Sequence, residues 1–436
     1  MRLFKVVSGQ KPREIAVRLL QRRPGGPYIE QLLDNALAPT QLSPADRHLC
    51  QELVYGILRW QATLDWLVAR KTENRTQKPA LQNLLRLGLY QIFWLDRIPH
   101  HAAVHETVQL ARQSGLGPQA GFVNAVLRGY LREFDATRRL LAQLKVSQPP
   151  LGHSHPDWLA ARWTQRWGPE RAAQLMEWNN TPPAVFARVN TLKTDPARLL
   201  AQWRQEEVEC DFVRRDWLEE NLVFELKSHP PLARLPSFRQ GLFYLQDPST
   251  LLAPRELDPQ PGQTVLDLCA APGGKLSCLA QLMANQGQLL AHDTAPDRLK
   301  LIRENCARLG ITCVSTFDPQ SPTLCDRILV DVPCSNTGVM RRRVDLRWRL
   351  RPEGFEHLRA TQLQLLRQGA ALLRPGGCLV YSTCSLEPEE NQDAVTQFLI
   401  EHPGFRLERQ RELLPFADNV DGAFVARFTR DTLTRP

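Results

Sequence analysis

The chain lacks the features of a membrane or secreted protein. No stretch of its 436 residues approaches the roughly 18 consecutive apolar residues that a membrane-spanning helix needs. The opening residues, MRLFKVVSGQKPRE, turn polar too early to supply the apolar core of a signal peptide. Hydrophobic residues make up 43% and charged residues 23% of the chain, which excludes a largely disordered or collagen-like protein. We therefore expect a cytoplasmic protein of about two to four domains with no membrane partner.

The ten cysteines include no C-x-x-C pair. Because a zinc site of the usual spacing is missing, we expect no metal. Thiols in a cytoplasmic protein stay reduced, so disulfides are not expected either. Eight of the ten cysteines lie between Cys269 and Cys384, and this clustering makes the C-terminal half the place to look for thiol chemistry.

The positive charge of the chain is concentrated near its N-terminus. Residues 1–145 contain 21 Lys and Arg against 11 Asp and Glu, whereas the rest of the chain contains 34 against 35. A basic region joined to a neutral one is typical of a module that binds a polyanion such as nucleic acid. A soluble, charged helical domain fits the charge equally well, so charge alone leaves both interpretations open.

Residues 1–145 carry apolar residues at helical spacing, and we expect an all-α domain there. The sequence S-P-A-D at 43–46 is typical of a helix start. Three prolines and a glycine follow in S-Q-P-P-L-G-H-S-H-P, so residues 146–156 are predicted to form a linker. Its His153 and His155 could bind a metal, although exposed linker histidines are the simpler interpretation.

Two further regions follow the predicted linker. Residues 157–250 combine a predicted tryptophan-rich helix over 156–178 with strand-like pieces, which indicates a small α+β module. From 251 to 436, short buried strands alternate with helices. This alternation predicts a Rossmann-like α/β domain whose parallel sheet carries helices on both faces. Its strands are predicted over 264–269, 287–293, 325–333 and 376–385.

A glycine-containing loop follows the first of these strands. The sequence D-L-C-A-A-P-G-G-K runs from Asp267 to Lys275, ahead of a predicted helix. Gly273 and Gly274 allow the backbone to approach a ligand closely, and the start of a helix offers free N–H groups. The loop is neither G-x-G-x-x-G nor a Walker A sequence, which disfavours NAD and ATP as ligands.

The second predicted strand ends at Asp293, 18 residues after Lys275. An acidic residue at that place can accept hydrogen bonds from both ribose hydroxyls of a nucleoside cofactor. Asp293 could instead cap the helix that begins near Pro296. The order of glycine loop and then acid favours the nucleoside interpretation.

Two cysteines follow two successive strands. Cys334 lies in D-V-P-C-S-N-T-G and Cys384 in Y-S-T-C-S, each at the carboxyl edge where open α/β sheets bind ligands. One buried cysteine is commonly inert, but two at one edge favour a chemical role. A thiolate beside a nucleoside cofactor suits methylation of pyrimidine carbon 5, because its addition to carbon 6 makes carbon 5 nucleophilic.

Together these motifs resemble the RsmB/NOP (Sun) family of RNA 5-methylcytosine methyltransferases. The glycine loop, D-x-P-C-S and Y-S-T-C-S-L-E-P-E-E-N carry the resemblance in the C-terminal domain, while residues 47–60 and 120–128 resemble the NusB-like RNA-binding domain. That fusion is typical of bacterial members that modify 16S ribosomal RNA, and the resemblance extends over nearly the whole chain. It implies transfer of a methyl group from S-adenosylmethionine to carbon 5 of a cytosine through a covalent cysteine–carbon 6 adduct.

The resemblance also implies roles for individual residues. Cys384 would be the nucleophile, Cys334 would assist release of the product, and Asp331 would line the site and contact the target cytosine. Asp318 matches the acid that reaches the adenine. The residues that would hold S-adenosylmethionine are Cys269, Ala270, Ala271, Pro272, Gly273, Gly274, Lys275, Asp293, Asp318 and Asp331.

Two positions depart from the family pattern. Asn336 stands where the family usually has Gly or Ala, which would narrow the active-site loop. Pro319 follows Asp318, and the segment that leads to the next strand is short, which weakens the predicted adenine contact.

RNA contacts are predicted at two places. Arg341, Arg342 and Arg343 open an arginine-rich stretch directly after the D-V-P-C-S loop, where they would hold RNA phosphates; a solvated helix face is the alternative. Arg188 and Asn190, in A-R-V-N-T-L-K, match a family motif near the target RNA, with a simple strand edge as the competing explanation. The α+β module that contains them would then bind RNA as well.

Two other functions are weighed against the RNA methyltransferase. A non-catalytic RNA-binding assembly factor would have no reason to keep Cys334, Cys384 and Asp331 together. A methyltransferase acting on an amine nitrogen or a protein needs no thiol nucleophile, so both cysteines would be idle. The sequence leaves open which cytosine is modified, whether the substrate is naked 16S RNA or an assembly particle, and the oligomeric state.

Overall fold

The computed structural model describes residues 11–21, 26–320 and 322–432. Their Cα positions form two compact units, which we call unit 1 and unit 2. Unit 1 comprises Met1–Thr181 together with Met340–Arg349, and unit 2 comprises Pro182–Val339 and Leu350–Pro436. None of the helices within the described ranges combines the length and apolarity that crossing a membrane requires.

The secondary structure of the described residues is as follows. The helices are α1 (Pro12–Leu20), α2 (Ile29–Leu37), α3 (Pro44–Arg59), α4 (Gln61–Lys71), α5 (Pro79–Trp94), α6 (His100–Gln113), α7 (Ala120–Arg132), α8 (Phe134–Ser147), α9 (Pro149–Gly152), α10 (Asp157–Trp167), α11 (Pro169–Trp178), α12 (Pro196–Gln205), α13 (Pro236–Arg239), α14 (Leu252–Leu257), α15 (Gly274–Leu282), α16 (Pro296–Leu309), α17 (Leu346–Arg349), α18 (Gly354–Leu372), α19 (Gln392–Glu401) and α20 (Pro415–Asp418). The strands are β1 (Val185–Val189), β2 (Glu209–Phe212), β3 (Val223–Ser228), β4 (Phe243–Leu245), β5 (Thr264–Asp267), β6 (Gln288–Ala291), β7 (Val314–Thr316), β8 (Cys325–Asp331), β9 (Leu373–Thr383), β10 (Phe405–Leu413) and β11 (Ala423–Arg430).

Unit 1 contains helices α1–α11 and α17, and the all-α prediction for its N-terminal part is confirmed. The predicted start of α3 is correct: Pro44 lies in the first turn, and the Ser43 Oγ accepts a hydrogen bond from the Asp46 N–H at 3.1 Å. Leu53 and Leu64, on α3 and α4, are fully buried in one apolar core. Burial of the apolar faces of these helices holds the unit together.

Residues 146–156 do not form the exposed linker that the prolines predicted. α9 lies within this segment, and the three residues after it, His153, Ser154 and His155, are buried within unit 1. The carbonyl oxygen of His153 accepts a hydrogen bond from Asn180 Nδ2 at 2.7 Å, and burial lowers the pKa of His155 well below its usual range. The histidines are therefore interior residues, and the following helices α10 and α11 also belong to unit 1.

The single helix predicted over 156–178 is two helices. α10 ends before Gly168, which has φ +83°, and α11 begins at Pro169. A positive φ of this size is readily adopted only by glycine, and proline is favoured at the first position of a helix. The pair Gly168-Pro169 therefore breaks the helix although the apolar pattern continues through it.

A segment that follows the predicted catalytic loop is part of unit 1. Val344 is buried in the core of the helical unit. Arg347 is fully buried, and its guanidinium donates to Asn180 Oδ1 at 2.9 Å and to the carbonyl oxygen of Asn179 at 3.0 Å. Trp348 Nε1 donates to a backbone carbonyl of α3 at 2.7 Å. Most of Met340–Arg349 is thus packed into unit 1 and is not a solvated face, although Arg343 is exposed.

Unit 2 contains two sheets. The smaller sheet has four antiparallel strands in the order β2-β3-β1-β4 and packs with α12, where Trp203 and Phe224 meet edge to face. This confirms an α+β module in this region, although the helices predicted to begin it, α10 and α11, belong to unit 1.

The larger sheet of unit 2 has the order β10-β11-β9-β8-β5-β6-β7. Strands β9, β8, β5, β6 and β7 are parallel, as predicted, whereas β10 and β11 are antiparallel to their neighbours. The sheet is therefore mixed, because the short connection between β10 and β11 leaves no room for the crossover that a parallel pair needs. The carboxyl ends of the five parallel strands lie at one edge.

Candidate active site

The glycine loop connects β5 to α15 at the carboxyl edge of the large sheet. The Ala270 N–H donates to the His292 carbonyl oxygen at 2.9 Å, which joins the loop to the end of β6. Gly273 has φ +101°, a conformation open to glycine and costly for other residues. α15 begins at Gly274, so its first N–H groups face the turn. The loop has the geometry expected of a site for a polar ligand.

Asp293 follows β6 beside this loop, as predicted. Its side chain is 4% exposed, and Oδ1 accepts a hydrogen bond from the Ala295 N–H at 3.1 Å. Arg298 lies 3.4 Å from Asp293 Oδ2 and also donates to the Ala271 carbonyl oxygen at 3.0 Å. The arginine thereby ties the acid to the glycine loop, and the simple capping role and the ligand role are both compatible with this position.

Asp318 follows β7, the next strand along the same edge. It is exposed, and its Oδ1 accepts a hydrogen bond from the Gln320 N–H at 2.9 Å. The bond stabilises the turn in which Asp318 lies. Asp318 therefore shares the edge of the sheet with Asp293 but is held by a local turn.

Asp331 ends β8 and pairs with the last residue of the glycine loop. Its Oδ2 lies 2.6 Å from Lys275 Nζ, and its Oδ1 accepts a hydrogen bond from Ser382 Oγ at 2.6 Å. Burial opposes the charge of Lys275, but the nearby Asp331 carboxylate raises the pKa of the lysine. This ion pair joins the glycine loop to the strand that leads to Cys334, a link that the spacing of the motifs did not reveal.

Asp267 is a buried acid at the start of the loop motif, and the sequence alone indicates no role for it. It is 1% exposed, and neither carboxylate oxygen makes a well-formed hydrogen bond with the described residues, although the nearby Cys269 N–H partly stabilises the carboxylate. Burial and then the Asp331 charge raise the pKa of Asp267 to about 7. Unsatisfied buried acceptors are rare and fit a ligand that brings N–H or O–H donors. Asp267 and Asp293 therefore suit a cofactor with an ammonium group and ribose hydroxyls.

The two predicted catalytic cysteines are in contact. The Sγ atoms of Cys334 and Cys384 are 3.3 Å apart. The hydrogen bond to Cys384, and then burial, raise the pKa of the Cys334 thiol well above its ordinary value. Neighbouring parallel strands β8 and β9 bring the cysteines together, because their registers align Asp331 with Ser382. Cys384 is the more exposed of the two.

Asn336 lies between the two cysteines, at a left-handed φ of +59°. Cys384 Sγ is 3.1 Å from Asn336 Oδ1, and Asn336 Nδ2 donates to the Cys334 carbonyl oxygen at 2.7 Å. Asn336 was predicted to narrow the active-site loop, and its side chain indeed contacts Cys384, the candidate nucleophile. A positive φ is several-fold easier for asparagine than for most residues.

Glu390 connects the two cysteine loops, a role that the sequence motifs do not predict. It is fully buried, and Oε1 accepts a hydrogen bond from the Ser335 N–H at 2.8 Å. Its Oε2 accepts from the hydroxyls of Ser335 and Ser385, the residues directly after the two cysteines. Gln362 Nε2 also donates a hydrogen bond to Glu390 Oε1, at 2.8 Å. The sequence feature that could have indicated this role is the position of Glu390 in E-P-E-E-N, a charged residue between two elements with buried side chains.

The structure corrects the predicted RNA contacts of Arg188 and Asn190. Both side chains are buried. Arg188 donates to Ser277 Oγ at 2.7 Å, and Ser277 in turn donates to the Gly274 carbonyl oxygen at 2.9 Å. Asn190 Nδ2 donates to backbone carbonyls, including that of Leu309 at 2.8 Å. The two residues join the small sheet to α15 and α16, so they support the glycine loop and do not face RNA.

The three arginines predicted to hold phosphates also occupy different environments. Arg341 is buried, with its guanidinium 4.1 Å from the centre of the Trp178 ring. Arg342 is partly buried, and Arg343 is exposed, with its guanidinium 5.6 Å from the centre of the Tyr28 ring. Packing into unit 1 removes Arg341 from solvent, so the prediction for this residue is corrected, while Arg343 keeps an accessible charge.

Family models match the chain over three regions. Residues 254–429 match a model described as 16S rRNA methyltransferase RsmB/F, and residues 10–132 match the NusB family. Residues 155–225 match a ferredoxin-like domain of RsmF/B-like methyltransferases, which corresponds in part to the small sheet of unit 2.

Curated relatives resemble the chain along most of its length. A probable ribosomal RNA small subunit methyltransferase B of Bacillus subtilis is 38% identical over 90% of this chain and 89% of that protein. The ribosomal RNA small subunit methyltransferase B of Klebsiella pneumoniae is 35% identical over 92% of this chain and 94% of that protein.

Solved structures show the same fold. The crystal structure of PH0851 has a TM-score of 0.75 at 24% identity and covers 96% of this chain and 99% of its own. A methyltransferase homologue from Pyrococcus horikoshii has a TM-score of 0.56 at 33% identity over 64% of this chain and 97% of its own.

Proposed function

Because this chain belongs to the RsmB/F family of 16S rRNA methyltransferases, we propose that it transfers a methyl group from S-adenosylmethionine to carbon 5 of a cytosine in 16S ribosomal RNA. The observation that carries the proposal is the contact between Cys334 and Cys384 beside the Lys275–Asp331 ion pair. Methyl transfer to nitrogen or oxygen needs no thiol, whereas methylation of cytosine carbon 5 needs a nucleophile at carbon 6.

The cofactor would be held by the glycine loop and the acids beside it. Asp293 would accept hydrogen bonds from the ribose hydroxyls, and Asp318 would reach the adenine. Asp267 offers unpaired acceptors to the ammonium group. The residues of the loop and Asp331 complete the proposed set: Cys269, Ala270, Ala271, Pro272, Gly273, Gly274 and Lys275. S-adenosylmethionine supplies an electrophilic methyl group on a sulfonium.

The residues of the chain would act on the cytosine in two stages. First, the Cys384 thiolate adds to carbon 6, which places electron density on carbon 5 for methylation. Asp331 can accept a hydrogen bond from the cytosine amino group, because a carboxylate has about four acceptor positions and Lys275 and Ser382 use two. Afterwards, Cys334 as a thiolate would take the carbon 5 proton, the electron pair of that C–H bond would restore the double bond between carbons 5 and 6, and Cys384 would leave carbon 6 as a thiolate.

The RNA would be held chiefly by the basic N-terminal region. Residues 1–145 carry ten more basic than acidic side chains, and exposed arginines such as Arg128 and Arg139 lie on its helices. Neutralising phosphates with such groups releases counterions and gives sequence-independent affinity. Arg343 is an additional accessible charge, close in sequence to Cys334. The target is a single-stranded or extruded base, since a stacked cytosine cannot present carbon 6 to a thiol.

Bisulfite mapping of 16S RNA tests the proposal. RNA is compared from cells with the gene, without it, and with the gene restored as wild type or as Cys384→Ala. We expect one cytosine to be protected from bisulfite conversion in cells that have the gene. This protection should be lost when the gene is deleted and restored only by the wild-type copy. Identical protection in all four samples would exclude this RNA as the substrate. Incubating purified protein with naked 16S RNA and with small-subunit particles then identifies the accepted form.

A further inference from the structure

The Asn336 side chain bridges the loop of one cysteine and the thiol of the other. Its two polar ends are 2.7 Å from the Cys334 carbonyl oxygen and 3.1 Å from Cys384 Sγ. Asn336 has a φ of +59°, and these two contacts place its side chain between the loops. Glycine or alanine, which the family pattern has at this position, could make neither contact.

The chemistry of the neighbours determines how the amide is oriented. A backbone carbonyl oxygen only accepts hydrogen bonds, so the amide nitrogen of Asn336 must face Cys334. The amide oxygen then faces Cys384 Sγ. An amide oxygen also only accepts, so the bond at 3.1 Å forms when Cys384 carries its proton and donates it.

We propose that Asn336 is a positioning residue that holds Cys384 as a protonated thiol and fixes the direction of its Sγ until the target base enters. The inference rests on the proposed role of Cys384 as nucleophile. A thiolate at the same place would face the negative end of the amide dipole, which disfavours the ionised form. Forming the nucleophile therefore requires the side chain of Asn336 to turn away from Sγ.

Other titratable or charged groups also surround the Cys384 thiol. Cys334 lies at 3.3 Å on the β8 loop, and the Lys275–Asp331 pair lies at the start of α15 and the end of β8. The Glu390 carboxylate is bonded to the serines that follow both cysteines. All of these groups are still present in the variants at position 336. A difference in the pH dependence of Cys384 between these variants is therefore caused by the Asn336 side chain.

The pH dependence of alkylation measures how firmly the proton is held. The Cys384 thiolate displaces iodide from iodoacetamide to form a thioether, and the proton of the thiol passes to the buffer. The rate is followed at Cys384 by peptide mass spectrometry of the full-length protein, without RNA or S-adenosylmethionine. Asn336→Gly removes the amide and keeps the positive φ, so it avoids the strain that alanine would introduce.

We expect the pH midpoint of Cys384 alkylation in Asn336→Gly to lie about 0.4–1.1 units below that of the wild type, because a hydrogen bond that favoured the thiol is lost. Asn336→Asp, which presents a charged acceptor, should raise the midpoint. Asn419→Gly is the matched control, because Asn419 is an exposed asparagine with φ +53° elsewhere in unit 2, and its midpoint should equal the wild type.

The plateau rate at high pH separates access from protonation, because easier entry of the reagent raises the plateau without moving the midpoint. An unchanged or higher midpoint in Asn336→Gly would overturn the inference. That result would leave the proposed methyl transfer intact, since the measurement involves neither RNA nor cofactor. Conversely, methylation by Cys384→Ala would exclude a covalent mechanism through Cys384. The lower alkylation midpoint of Asn336→Gly would still show that the amide stabilises the protonated thiol.

Discussion

The sulfur atoms of Cys334 and Cys384 lie 3.3 Å apart, although the two residues are 50 positions apart in the chain. They meet because β8 and β9 are neighbouring parallel strands whose carboxyl ends lie at the same edge of the sheet. Two thiols at this distance can both reach one pyrimidine ring. One can form the bond to carbon 6 while the other assists the step that breaks it.

The two cysteines should fail differently when each is replaced by alanine. Cys384→Ala should give no methylation and no covalent complex, because nothing adds to carbon 6. Cys334→Ala should methylate its RNA but remain attached to it. A denaturing gel with labelled RNA should therefore show a slowly migrating band for Cys334→Ala only. Cys313→Ala, a half-buried cysteine outside the site, serves as the control and should turn over like the wild type.

Reversal of this pattern, with a band for Cys384→Ala and none for Cys334→Ala, would exchange the two assignments. Full activity and no band in both variants would exclude covalent catalysis by either thiol.

Asp293→Ala should weaken the binding of S-adenosylmethionine about tenfold or more. Loss of charge-assisted hydrogen bonds to two hydroxyls costs on the order of 1.5–3 kcal/mol, and about 1.4 kcal/mol corresponds to a factor of ten. Titration calorimetry of the folded variant measures the affinity. Asp297→Ala, an exposed acid four positions along the chain, should bind like the wild type. Equal affinity in Asp293→Ala and the wild type would remove Asp293 from the site.

Asp267 should make the stability of the protein depend on pH. Burial raises its pKa in the folded state to about 7, whereas an unfolded aspartate has a pKa of about 3.9. The folded state therefore keeps a proton that the unfolded state has released between about pH 4 and pH 7. The contribution of this group to stability is fully present below about pH 4 and is lost as the pH rises to about 7.

Asp267→Asn, which is neutral at every pH, tests this dependence. We expect the variant and the wild type to have similar urea unfolding midpoints at pH 4, and the variant to become relatively more stable by on the order of 2–4 kcal/mol by pH 8. As a control, Asp258→Asn replaces an exposed acid, and its urea unfolding midpoint should depend on pH in the same way as that of the wild type. Parallel curves for Asp267→Asn as well would show that Asp267 does not titrate in this window.

Three exposed arginines of unit 1 should contribute to the salt dependence of RNA binding. Replacing Arg128, Arg132 and Arg139 by alanine should weaken binding, and each lost phosphate contact should reduce the slope of log K against log salt by about 0.7. Fluorescence anisotropy at several salt concentrations gives the slope. Arg367, Arg406 and Arg409 are each paired with a glutamate, so the matching triple variant should leave the slope unchanged. Equal slopes in both variants would assign the RNA surface elsewhere.

Glu390→Ala should destabilise the protein and disable the site. Removing the carboxylate leaves the Ser335 N–H without its acceptor, whereas the Ser335 and Ser385 hydroxyls, 3.0 Å apart, can still bond to each other. The unsatisfied N–H should lower the free energy of unfolding by about 1–3 kcal/mol. Glu390→Gln retains one acceptor and should lose less. Urea unfolding and methylation assays measure the two effects, with Glu389→Gln as the neighbouring control. A stable, fully active Glu390→Ala would show that the cysteine loops hold their positions without it.

Local patterns were sufficient to predict most of the elements. Apolar periodicity identified the helical N-terminal region and the strands near β5, β6, β8 and β9, because the periods of helix and strand are local properties of the chain. The pattern failed where conformation depends on packing. Residues 146–156 were predicted to form a linker because they contain prolines and a glycine, but Gly152, His153, Ser154 and His155 are buried in unit 1. The antiparallel hairpin β10–β11 was also not foreseen.

The sequence by itself determined the order of the motifs and therefore the edge of the sheet at which Cys334, Cys384 and Asp293 lie, since parallel strands place their carboxyl ends together. Only the tertiary structure decided which side chains touch. It put Asn336 against Cys384, buried Glu390 between the cysteine loops, and turned Arg188 from an RNA contact into a support for the glycine loop. These contacts join residues 48, 55 and 89 positions apart, and packing at such separations is not encoded in any local pattern.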